Sequence, residues 1–152
     1  MYFAVVILTM LALPIVSVAV QHGLDPAQSL IVLAGHWFVF WGVGVRLMLA
    51  GARQVLKPSF TAREIFRMSS EEAAPLVREL GAANIGTAVV ALISIAVPSF
   101  VLPAAIAAAI FYVAAGLTHA AERTRSLNEN VAMVSDLWIA LVLVAFVVAT
   151  FL

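Results

Sequence analysis

From residue 80 to residue 120 the chain runs for 41 residues without one Asp, Glu, Lys or Arg. As a single helix at about 1.5 Å per residue this stretch would be about 60 Å long, roughly twice the hydrocarbon thickness of a bilayer. It therefore has to turn back on itself, and Pro98-Ser99-Phe100-Val101-Leu102-Pro103 is the expected turn. Further apolar runs at residues 2–20, 30–50 and 131–152 each approach the ~20 residues that a spanning helix needs. Hydrophobic residues make up 64% of the 152 and charged residues 11%, against about 45–50% and about 25% in soluble domains. The runs are continuous and lack the alternation of barrel strands, so helices must satisfy the backbone in lipid. The expected fold is all-α: one integral membrane helical bundle over residues 1–152, with spans near 2–20, 28–50, 78–97, 103–120 and 132–152, and four spans as the alternative.

Local chemistry places the breaks. Residues 2–20 have small residues Ser17 and Ala19 near their end but no Lys or Arg ahead of them. They read as a first span rather than a signal peptide. Asp25 and Pro26 suit the N-cap and first position of the second helix, and Pro58 should stop it. Thr61 and Glu64, ahead of Ile65, Phe66 and Met68, read as a capping box that opens a short interfacial helix. Pro75 suits the first turn of the third span.

With five spans, the loops after the second and fourth share a side. Together they hold Arg53, Lys57, Arg63, Arg67, Arg78, Arg123 and Arg125, while the other two loops hold no Lys or Arg. The positive-inside rule then puts the N-terminus in the cytoplasm and the C-terminus outside; four spans would split the basic loops between the two sides. Small residues should mediate close helix contacts: Ala104, Ala105, Ala107, Ala108, Ala109, Ala114, Ala115 and Gly116 in the fourth span, Gly42 and Gly44 in the second, Ala82 and Gly86 in the third. The aromatic run Trp37, Phe38, Phe40, Trp41 reads as packing in preference to a ring-lined pocket.

Ionisable groups inside spans cost at least ~2.5–3.5 kcal/mol at a helix centre, so those present should face the bundle interior and find partners. Arg46, Asn84, Asp136, Arg78, Glu79, His119 and Glu122 all fall toward one end of the expected bundle, forming a cytoplasm-facing polar layer. The structural reading pairs Arg46 with Asp136 or Glu79 and lets Asn84 donate between helices. The functional reading makes the layer a pocket for an acidic headgroup or a small polar molecule, held through Arg46 and Arg78.

Balanced charge, with 8 Lys+Arg and 8 Asp+Glu, gives no footprint for nucleic acid. The absence of cysteine excludes disulfides and thiolate sites. His119 and Glu122 have ligand spacing, but helical di-iron bundles use two such motifs and there is one; His36 and His119 are expected at different depths, which disfavours a bis-histidine haem. No metal or cofactor is expected, and no nucleophile with an identifiable base argues for catalysis.

Three stretches carry a likeness: Arg78-Glu79-Leu80-Gly81-Ala82-Ala83-Asn84, Phe111-Tyr112-Val113-Ala114-Ala115-Gly116-Leu117-Thr118-His119, and Asn130 with Ser135-Asp136. Over residues 76–142 the chain resembles an uncharacterised bacterial family of small multi-span membrane proteins and, more distantly, DoxX-like proteins. The resemblance implies a bacterial inner-membrane protein and draws attention to Glu79, Asn84, His119 and Asp136, but brings no activity, substrate or cofactor. The expected role is binding of a lipid or small amphiphile in the bundle, with membrane lipids as partners. The alternatives are a structural subunit of a membrane complex or homo-oligomer, and a membrane-embedded enzyme acting on a lipid or quinone.

Overall fold

The computed structural model describes residues 2–64 and 73–152, and helix is the only regular structure among them. In chain order the helices are α1 (Tyr2–Leu24), α2 (Leu30–Leu56), α3 (Pro58–Glu64), α4 (Ala73–Ile93), α5 (Pro98–Ala121) and α6 (Leu127–Phe151). All but α3 are long and apolar enough to cross a membrane. Their outward faces carry Leu8, Ile110, Val134 and Leu141, each half exposed or more. A continuous apolar exterior of this kind suits lipid and would be a liability in water.

The α1–α2 link forms differently from the sequence expectation. The Asp25 amide closes α1 by donating to the Gln21 carbonyl, and its carboxylate accepts from the Ala27 amide at 3.2 Å and from Gln28 Nε2 at 2.8 Å. Asp25 is thus consumed in a turn, and α2 begins at Leu30 with Ser29 as its flanking residue. Pro58 does stop α2, and it opens α3; Thr61 lies buried inside that helix and is not its N-cap. Ile65, Phe66 and Met68 fall outside the described residues. Pro75 occupies the first turn of α4, Pro98 the first turn of α5, and a Ser126–Glu129 capping box starts α6 earlier than the hydropathy pattern suggests.

Two helices contain a π segment, Leu8–Ala12 in α1 and Val39–Val45 in α2. The first precedes Pro14, which has no N–H to offer the Met10 carbonyl one turn back. Trp138 Nε1 of α6 donates to that carbonyl at 3.0 Å, so a neighbouring helix supplies the missing donor. The aromatic run acts as packing. Trp41 Nε1 reaches Ser17 Oγ at 3.0 Å and Trp37 Nε1 reaches Gln21 Oε1 at 2.6 Å, pinning α1 to α2. Phe38 is buried against Trp138 at a ring separation of 6.2 Å.

Small residues do permit close helix approach, but not at every expected position. A Cβ on Gly116 would come within 2.7 Å of Leu137, so α5 and α6 meet there, while Gly42 and Gly44 face Ile139 and Leu92. Ala82 and Gly86 point outward, with nothing within 4 Å of a Cβ at Gly86. The α2–α4 crossing instead uses Gly51 and Gly81, where a Cβ on either would stand 2.6 or 2.9 Å from the other's carbonyl oxygen.

Candidate functional site

A cavity of about 440 Å³ lies at the end of the bundle where α2 and α5 finish and α1, α4 and α6 begin. All five span-length helices line it, and Phe60 and Thr61 of α3 contribute a further wall. Helical periodicity aims the side chains. On α2 the lining residues Arg46, Ala50, Arg53 and Gln54 follow i, i+4, i+7, i+8; on α5 Tyr112, Ala115 and His119 follow i, i+3, i+7; Leu80 and Asn84 on α4, and Ala132 and Asp136 on α6, are one turn apart.

Arg46 leaves the π segment of α2 as its first residue on the α-helical side. Within that segment the Gly42 carbonyl accepts a 2.6 Å hydrogen bond from the Tyr112 hydroxyl, which ties α2 to α5. An Arg46 terminal nitrogen (Nη2) donates to the Tyr2 hydroxyl at 3.4 Å, and its guanidinium carbon lies 5.6 Å from the centre of the Tyr2 ring. Its Nε is buried with no hydrogen-bond partner. No hydrogen bond joins Arg46 to Asp136 on α6 among the described residues. Elsewhere on the α2–α4 wall, Asn84 Nδ2 donates to Gln54 Oε1 at 2.8 Å, both side chains being buried. At the rim the Arg53 guanidinium sits 3.6 Å above the Phe60 ring, a geometry suited to cation–π attraction.

Of the seven residues that the sequence gathers into a polar layer, Arg46, Asn84, His119 and Asp136 line this cavity. Arg78, Glu79 and Glu122 do not; all three are exposed at the ends of α4 and α5. The carbonyls of His119, Ala120 and Glu122 accept from Arg125 Nη1, which makes Arg125 a cap for the C-terminus of α5. His36 packs edge-on against Trp37, away from the cavity lining. Among the described residues no group of three or more His, Asp or Glu could hold a metal ion.

Tyr2, Arg53, Gln54, Thr61 and Tyr112 also line the cavity and were not among the site residues expected from the sequence. For Arg53 and Gln54 a signal existed, since both share the Arg46 face of one helix. Tyr112 sits in an Ala-rich run that reads as pure packing, and Tyr2 is near the chain's start; neither position carries a local sign of where its hydroxyl points.

These features define a class: a bundle of five span-length apolar helices enclosing an apolar-walled cavity with a charged end. The chain belongs to a family of unknown function, DUF6790, whose model matches residues 2–151. The match covers nearly the whole chain, which is consistent with the uncharacterised family expected from residues 76–142. Neither the comparison with curated proteins nor that with solved structures gives a match.

Proposed function

We propose that this chain is an integral protein of the bacterial cytoplasmic membrane that binds a lipid or other small amphiphile, with the polar head at Arg46, Asn84, His119 and Asp136. The observation that carries the reading is the cavity itself: about 440 Å³, mainly apolar walls, and in its lining a guanidinium whose buried Nε has no partner. A volume of this order is typical of small-molecule sites, and an orphaned buried donor leaves an unmet demand for an acceptor. Native mass spectrometry on protein extracted in mild detergent tests it. The expected result is a retained amphiphile that is lost in Arg46→Ala; a wild-type particle without bound lipid, taking up none on titration, would count against the reading.

In the same reading the cavity end faces the cytoplasm, with the C-terminus outside, on the grounds of the basic loops. A reporter fused after Leu152 and active only in the cytoplasm would sink that orientation. The distant likeness to DoxX-like proteins agrees with a bacterial membrane setting but adds no activity. A second reading, a subunit of a larger assembly, draws on the outward-facing Ala82 and Gly86, whose four-residue spacing suits contact with another helix. A monomeric particle in several detergents would disfavour it.

A further inference from the structure

Arg46 and Asp136 stand on α2 and α6, on separate walls of one cavity. Opposite charges in a dry interior normally close into a hydrogen-bonded pair, because each group left alone keeps most of its desolvation cost. Here the pair is open. Arg46 reaches only the Tyr2 hydroxyl, at a long 3.4 Å, its Nε has no partner, and Asp136 accepts from no group among the described residues.

The neighbouring polar groups do not fill the gap. The Tyr112 hydroxyl is committed to the Gly42 carbonyl, and the Asn84 amide nitrogen to Gln54. Two demands therefore remain within one cavity, an acceptor for Arg46 and a donor for Asp136. A purely anionic head would satisfy Arg46 and set a second negative charge beside an unpaired carboxylate. A purely cationic head would do the reverse. A head carrying both charges meets both demands and adds no net charge to the site.

We infer that the ligand's head is a zwitterion, with an anionic oxyacid group on Arg46 and an ammonium that still bears N–H donors on Asp136, as in phosphoethanolamine. The inference rests on the binding reading above. A quaternary ammonium fits less well: it has no N–H for the carboxylate, and it is held instead by aromatic faces. Two of the aromatic rings at this cavity already face guanidinium groups, Tyr2 beneath Arg46 and Phe60 beneath Arg53. The zwitterion can come from a membrane lipid or from a free small molecule.

Binding of dioleoyl phosphatidylethanolamine, phosphatidylcholine and phosphatidylglycerol to the purified full chain, read by native mass spectrometry with free phosphoethanolamine as competitor, tests this. The wild type should retain the ethanolamine lipid at least about tenfold better than the other two, a discrimination within reach of one buried polar pair. Asp136→Asn should erase the disadvantage of phosphatidylglycerol, and Arg46→Gln should weaken all three. Displacement by phosphoethanolamine assigns the head to a soluble source, and its failure to displace assigns it to the lipid; either supports the zwitterion. Equal or better retention of phosphatidylglycerol by the wild type overturns the inference and leaves amphiphile binding standing, as does an Asp136→Asn protein that binds with unchanged selectivity. Retention of none of the four probes overturns both. The wild-type ranking decides the matter even if a variant fails to fold.

Discussion

The crossing of α2 and α4 makes a test in which two chemically identical substitutions should behave differently. In Gly51→Ala the new Cβ would lie 2.6 Å from the Gly81 carbonyl oxygen and 2.8 Å from Ile85 Cγ1, with the backbone nitrogen of Ile85 at 3.1 Å. The carbonyl cannot rotate aside as a side-chain end could, so restoring an ordinary 3.4 Å contact requires the helices to part by about 0.8 Å. Gln54 and Asn84 lie three residues beyond Gly51 and Gly81 on the same crossing, and the same displacement would stretch their buried 2.8 Å hydrogen bond to about 3.6 Å, past useful length. Overpacking costs about 1–3 kcal/mol and a broken buried bond a further ~1–3 kcal/mol, so the Ala variant should lose about 2–6 kcal/mol. Gly86→Ala meets nothing within 4 Å. Because separated spans remain helical in lipid, its conformational gain is also small, and it should fall within about 0.5 kcal/mol of wild type. Unfolding in mixed micelles, followed by tryptophan fluorescence, reads both. Equal stability of the two variants would refute the crossing and with it the α2–α4 wall of the cavity.

The donor that Trp138 supplies to the Met10 carbonyl predicts a coupling: Trp138→Phe should cost about 1–2 kcal/mol alone and less in a Pro14→Ala background, where the restored amide can serve the carbonyl; strict additivity in the double-mutant cycle would contradict the compensation. Ser126→Ala removes one half of the box that opens α6 and should cost about 0.5–2 kcal/mol, visible as faster amide exchange in the first turn of that helix; unchanged exchange would show that the cap contributes nothing.

That five helices are long and apolar enough to cross a membrane was legible in the sequence, because the cost of exposing backbone to lipid forces long apolar helices and hydropathy is a local property. Helix starts were less legible: Asp25 and Ser126 have the same capping chemistry, yet Asp25 closes a turn and Ser126 opens a helix, as the backbone on either side decides. Which polar residues share a cavity was beyond local reading. Arg46 and Asp136 enter it, whereas Arg78, Glu79 and Glu122 remain outside, because rotation of each helix about its axis is set by packing. Gly51, Gly81 and Gly116 set those rotations through contacts with residues distant in the chain. The uninterrupted apolar length that made the residues 80–120 hairpin inevitable says how many helices form and where they turn. The side-chain contacts between helices decide which face of each one looks inward, and therefore that a guanidinium and a carboxylate meet across one cavity without closing on each other.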